Sequence, residues 1–335
     1  MNFSDVVVLG AGPSGCAAAI QCAQRGLRVA LLEKSLFPRH RPGETLHPGV
    51  EPLLRQLGVD IQHQACLRHS GHWVHWEGPP RFHSFGGNAW SGFQIPRELL
   101  DQQLLERAHT AGVQVLQPKR ISLLLHPHGR VLGVRADTTQ WRAHYVVDAS
   151  GRHRWLQRQL QLPYLRYSPR LIAQYGYCQN VHLQPEALGL FARPHGWHWI
   201  ARISDTCLHW TELYFVESAK RGSCPPVLSQ CTAIGPTRGA DVSWRRCRNT
   251  AGPGYFLAGD AATTVDPCAA HGVIKALVCG MQAASVIVDC LSRPSGEAIV
   301  QAAYQAWVQE AFARDVTALR SFYQTHPHPP AWVQA

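Results

Sequence analysis

The segment Gly10-Ala11-Gly12-Pro13-Ser14-Gly15 constrains this chain more than any other. It follows the apolar run Asp5-Val6-Val7-Val8-Leu9, of strand length, and opens a helical stretch from Ser14 to Arg25 that Gly26 breaks. A second apolar run, Arg28 to Glu33, comes next. A strand, a helix and a strand so closely spaced form a parallel pair joined by a right-handed crossover. Gly10 permits the tight turn, Gly12 lets a pyrophosphate approach the backbone, and Gly15 lets helix and strand pack closely. The free N–H groups and the macrodipole at the helix N-terminus favour the phosphate charge. Glu33, at the end of the second strand, is placed to accept from a ribose hydroxyl and argues against a 2′-phosphate there. The turn therefore predicts a bound dinucleotide, and by itself leaves FAD and NAD open.

Further along, Glu51–Leu57 and Arg97–Ala111 read as helices, and Gly71–Trp76 alternates as a strand. Strand-like segments follow at Val113–Leu116, Val131–Ala136 and Tyr145–Asp148, and the stretch from 164 to 245 predicts an antiparallel sheet with one covered face. Tyr255–Ala258 is a last strand, Gly272–Leu291 a buried helix, Ala298–Tyr323 an amphipathic helix, and His326–Ala335 a frayed tail. A dinucleotide-binding domain in three pieces (1–70, 96–163 and 248–335) is thus interrupted by a substrate domain in two (71–95 and 164–247).

Apolar residues make up 45% of the chain, enough for a sizeable core. Lys275 and Asp289 inside the most apolar stretch argue against a membrane span there, and the apolar start lacks a basic leader. The eleven cysteines form no C-x-x-C pair and no zinc framework, which fits thiols in a reducing cytoplasm, with Cys16, Cys22, Cys279 and Cys290 as compact filler. The net charge of +10 is spread along the chain rather than clustered, so it favours an anionic ligand or partner surface over nucleic acid. His69, His72 and His75, at spacing three on a strand, point to opposite faces and predict no metal site.

Five segments together resemble the FAD-dependent oxidoreductases that include aromatic monooxygenases, tryptophan halogenases and geranylgeranyl reductases. They are the glycine turn, Arg41-Pro42-Gly43-Glu44-Thr45-Leu46, Arg97-Glu98-Leu99-Leu100-Asp101, Val147-Asp148-Ala149-Ser150-Gly151-Arg152, and Gly259-Asp260-Ala261-Ala262 with Asp266-Pro267 and Gly272. The resemblance implies an α/β fold: a discontinuous Rossmann-like FAD-binding domain of the GR2 type with an inserted, mostly antiparallel sheet. It implies FAD contacts at Gly10, Gly12, Pro13, Ser14, Gly15, Glu33, Lys34, Arg41, Arg97, Gly259, Asp260, Pro267 and Gly272. Asp260 would accept from ribityl hydroxyls, and the helix beginning near Gly272 would face the pyrimidine edge of the flavin, where negative charge gathers on reduction.

Glu44, His47 and His271 are candidates to handle protons beside the flavin; a helix-capping Glu and a hydrogen-bonded His are the simpler readings of the first two. His271 stands where a Gln or another small polar residue is expected. Halogenase relatives carry a catalytic lysine on the strand comparable to Gly71–Trp76, which here has none, and this disfavours halogenation. The chain looks closest to the flavoproteins that modify a tryptophan in a partner protein during quinone-cofactor biogenesis. That branch implies reduction by NADH or NADPH, bound without a Rossmann module of its own. Oxygen activation as a flavin C4a-hydroperoxide and hydroxylation of an indole or phenol, free or on a partner protein, would follow. Reduction of an alkene, or a non-catalytic maturation role, remain alternatives. Trp197 and Trp199 would line an aromatic pocket or simply pack the sheet.

Overall fold

The computed structural model describes residues 2–61, 66–86, 90–179, 183–215 and 224–333. Its largest sheet runs in the order β19 (Ala251–Gly252), β20 (Tyr255–Leu257), β11 (Thr139–Asp148), β1 (Asn2–Leu9), β2 (Val29–Leu32) and β8 (Gln114–Leu116). From β20 to β8 the pairing is parallel, with Val7 between Val146 and Ala30. Val6–Leu9 are buried on both faces, which is why the strand reads as an unbroken apolar run rather than an alternation. A hairpin of β9 (Ile121–Leu125) and β10 (Gly133–Ala136) extends from β11. The sequence reading did not include β9, and it began β11 at Tyr145 rather than Thr139.

Helix α1 (Pro13–Gln24) packs between this sheet, α3 (Arg97–Thr110) and α5 (Gly272–Ser292). By length and composition α5 could cross a membrane; here it lies in the core against α1, α2 (Val50–Gln56) and α6 (Glu297–Gln324). The short α4 (Trp155–Gln159) follows β11.

The second large sheet is built around antiparallel pairs. Its order is β17 (Thr232–Asp241), β13 (Ile172–Gln179), β16 (Cys207–Tyr214), β15 (Gly196–Arg202), β14 (Gly189–Arg193), β5 (Gly71–His75) and β6 (Arg81–Ser84), with only β14 and β5 parallel. Two small sheets complete the fold: β3 (Thr45–Leu46), β7 (Gly92–Gln94) and β4 (Leu67–His69) in one, β12 (Tyr164–Arg166), β18 (Arg245–Cys247) and β21 (Thr263–Thr264) in the other.

One face of the seven-stranded sheet buries Trp76, Trp197, Phe215 and Trp244 against the last turns of α6. The tail does not fray as expected. His326 Nε2 meets the Gly196 carbonyl at 2.9 Å, and His326 and Val333 are each 3% exposed. Trp332 meets the Trp244 ring edge-on at 5.0 Å, so the tail orders because the sheet offers it an apolar face.

Candidate functional site

The glycine turn is fixed by sterics. Gly10 has φ +99°, and a Cβ there would stand 2.6 Å from the Ala149 carbonyl oxygen; one at Gly15 would stand 1.8 Å from that of Gly10. Gly12 caps α1 in an extended conformation, with Pro13 at the start of the helix. Glu33 holds the turn from below, accepting from the Ala11 N–H and the Ser35 N–H at 2.9 Å each. Its remaining lone pairs are available to a ribose hydroxyl. Lys34 beside it is exposed.

Two buried polar atoms at this turn, Ser14 Oγ and Arg39 Nε, have no hydrogen-bond partner among the described residues. A Cβ on Gly12 would lie 3.7 Å from Arg39 Nη2. Unpaired donors beside a helix N-terminus form a cradle for an anion, so these residues fit a pyrophosphate. Arg39 was not among the sequence candidates. Arg41, which was, is exposed and donates to the His40 carbonyl at 3.1 Å. Arg97 grips the fully buried Asp101 through two bonds, at 3.0 and 3.2 Å, and donates to the Pro42 carbonyl at 3.0 Å. Asp101 also pairs with Arg39 at 3.4 Å, so it aligns both guanidinium groups.

The flavin end is joined to this turn by close helix packing. A Cβ on Gly280 of α5 would stand 2.1 Å from the Ser14 carbonyl oxygen of α1, and one on Gly259 (φ +61°) 3.0 Å from Ser14 Cβ. Asp260 is solvent-accessible, and the charges of Arg152, Arg97, Arg245 and Lys275 act on its carboxylate. Pro267 opens a short turn that leads to His271, the N-cap of α5. Among the described residues no side chain caps this helix, its first turn carries no acid, and a Cβ on Gly272 would meet nothing within 4 Å. Protein packing therefore does not demand the glycine, while close approach of a ligand to the backbone would.

The structure brings His47 and His271 together, with ring centroids 5.0 Å apart and planes at 83°. His47 Nδ1 accepts from the Gly49 N–H at 3.0 Å, leaving Nε2 to carry the proton of the neutral ring. Burial lowers the His47 pKa; burial first, then Lys275 and His47, push His271 down to about 4. Phe85 and Trp90 pack on His47.

Glu44 is not part of that pair, and it caps no helix. Buried at 3% exposure, it accepts from the Gly43 N–H at 2.8 Å and the Tyr177 hydroxyl at 2.6 Å, with His209 Nδ1 at 3.6 Å. It ties the loop before β3 to the seven-stranded sheet.

His69 and His72 lie on separate strands of separate sheets, and both pack on Phe85, at 5.4 and 5.9 Å. Their convergence corrects the single-strand reading; His75 turns away to stack on Phe191. Burial, with His83 and His69 adding, pushes His72 down to about 4. Trp199 edges His72 at 5.4 Å, whereas Trp197 is 2% exposed in the aromatic core. Of the two, Trp199 alone reaches the histidine pocket. Of the chain's four lysines, Lys275 pairs with Asp315 at 2.8 Å, Lys119 with Asp137 at 2.6 Å, Lys34 is exposed, and Lys220 lies outside the described residues.

Residues 5–153 match the model of the FAD dependent oxidoreductase family, and residues 87–334 that of the tryptophan halogenase family. The chain is 26% identical to a tryptophan 2-halogenase of Chondromyces crocatus, over 97% of this chain and 69% of that protein. It is 27% identical to the 1H-pyrrole-2-carbonyl-[peptidyl-carrier protein] brominase of Pseudoalteromonas luteoviolacea, over 86% of this chain and 78% of that one. The structure of a myxobacterial chondrochloren halogenase superposes with a TM-score of 0.88 at 26% identity, covering 97% of this chain and 84% of that one.

Proposed function

As the chain belongs to the tryptophan halogenase family of FAD-dependent oxidoreductases, we propose that it is a monooxygenase hydroxylating an electron-rich aromatic, an indole or a phenol, free or carried on a partner protein. The observation that carries this reading is the cluster of neutral imidazoles and aromatic rings at the N-terminus of α5, where Lys275, the described lysine that acts on His271, is held by Asp315 at 2.8 Å. FAD, once reduced, supplies the electrons and the site of oxygen activation. The cradle at Gly12, Ser14 and Arg39 holds its diphosphate, Glu33 its ribose and Asp260 its ribityl chain. The uncapped α5 N-terminus stabilises negative charge on the reduced ring.

His47 and His271 meet the substrate as neutral rings. Its strong downward shift makes His271 a weak base, so it serves by hydrogen bonding, while the less perturbed His47 is the better proton acceptor. Phe85, Trp90 and Trp199 offer faces and edges to an aromatic ring. A substrate carried on a protein is supported by the brominase relative, whose name places its pyrrole on a carrier protein. The electron donor is NADH or NADPH, bound transiently.

The family itself favours a second reading, halogenation. Both are tested by one experiment: anaerobic reduction with NADH and then NADPH, followed by oxygen with bromide and an indole or phenol substrate. A product heavier by one oxygen atom supports the proposal; exchange of hydrogen for bromine overturns it in favour of the second reading.

A further inference from the structure

A polar thread runs through the aromatic core between the seven-stranded sheet and the last turns of α6. Trp197 Nε1, on β15, donates to the Tyr323 hydroxyl at 2.9 Å. Tyr323, on the last turn of α6, donates to Asp266 Oδ1 at 2.8 Å. Trp244 Nε1, just before β18, donates to Asp266 Oδ2 at 2.6 Å, and the Cys268 N–H to Oδ1 at 3.0 Å. An indole N–H only donates, so the direction of every bond is determined: Tyr323 must pass its proton toward Asp266, and Asp266 must accept throughout. Tyr323 and Trp244 are fully buried, and Trp197 and Asp266 are 2% exposed. A buried carboxylate in an apolar core costs stability unless every bond is made, and an apolar replacement often packs as well, so its value lies in specifying a position.

What it positions is the loop it roots. Asp266 opens the turn Pro267–Ala269, which leads through Ala270 to His271 and the N-terminus of α5. Ala270 sits at φ +51°, a left-handed conformation that a non-glycine residue holds only where its surroundings over-determine it. Asp266 is the anchored end of that segment, and three of its bonds come from the loop itself, from α6 and from the strand entering β18.

We propose that Tyr323 is a positioning residue: by holding Asp266 it fixes the loop 266–271 against the flavin. The proposal rests on the flavin site described above and not on which substrate is oxidised. Tyr323→Phe keeps the ring packing and removes only the hydroxyl. It weakens FAD binding about tenfold, the scale of a lost hydrogen bond to a charged group, and shifts the absorption spectrum and midpoint potential of the bound flavin. Trp197→Phe cuts only the remote link, leaves all three bonds to Asp266, and keeps FAD affinity within about twofold of wild type.

A Tyr323→Phe protein that melts earlier but binds FAD with unchanged affinity, spectrum and potential overturns the proposal. If that variant does not fold, Trp244→Phe, which removes the Oδ2 donor, gives the same two readings. Wild-type protein that binds no FAD would instead sink the flavin site itself.

Discussion

The Tyr177 hydroxyl donates to Glu44 Oε1 at 2.6 Å, a bond between the middle of β13 and the loop that enters β3. It links the seven-stranded sheet directly to the segment running past Arg41 and Gly43, and burial and Glu44 together hold the Tyr177 phenol protonated well above its usual range. Tyr177→Phe leaves a buried carboxylate short of a donor and lowers unfolding free energy by about 2 kcal/mol, read from urea unfolding. Glu44→Gln, which keeps an acceptor for Tyr177, loses less than Glu44→Ala.

Arg39 and Arg41 separate by their effect on cofactor affinity. Arg39→Ala removes a buried donor from the Gly12 turn and weakens FAD binding by about 2 kcal/mol, roughly thirtyfold. Arg41→Ala removes an exposed side chain and changes affinity by less than about threefold. Fluorescence titration of the apoprotein with FAD checks both.

Gly272→Ala has opposite effects on the empty and the loaded protein. The new methyl meets nothing within 4 Å, and alanine favours a helix over glycine by up to about 1 kcal/mol, so the apoprotein melts higher. FAD affinity falls, because the methyl stands where the ring approaches the backbone. Gly280→Ala drives a methyl to 2.1 Å from the Ser14 carbonyl oxygen and destabilises both forms by about 3 kcal/mol. Thermal melts with and without FAD separate the two.

The histidine pocket makes the protein sensitive to acid. His271 and His72 both titrate near 4 in the folded chain, below the ordinary value of 6.5. Between those values the unfolded state binds the extra protons, so stability is fully present above pH 6.5 and is lost as pH falls toward 4. Each contributes on the order of 2 kcal/mol after allowance for solvent screening. His271→Asn flattens the slope of unfolding free energy against pH in that window.

The parallel pair of β1 and β2, the glycine turn and α5 were legible because their determinants are local: an apolar run, a turn that only glycine fits, a helical stretch of small residues. The place of Arg39 beside Gly12 was not, because it and Arg41 are chemically identical and only Asp101, brought over by α3, distinguishes their positions. The convergence of His69 and His72 was hidden by the break at Ser70, which sends the two into different sheets. The tail 326–333 reads as polar and proline-rich, and its order comes from Gly196 and Trp244, partners far away in the chain. Trp197 and Trp199 share a face of one strand, so their separate fates depend on the arrival of α6 rather than on spacing.

Trp76 Nε1 donates to the Phe322 carbonyl across 246 residues of chain. During synthesis the glycine turn, β11 and α5 are all complete before the residues that cover Trp76, Trp197 and Trp244 have been made. The glycine turn and its strands can therefore be in place while the aromatic face still looks onto water, and α6 closes both the core beside Tyr304 and Val308 and that face. A nascent chain halted short of α6 holds a finished dinucleotide turn beside an open, adhesive sheet, and so would need a chaperone until α6 has been made.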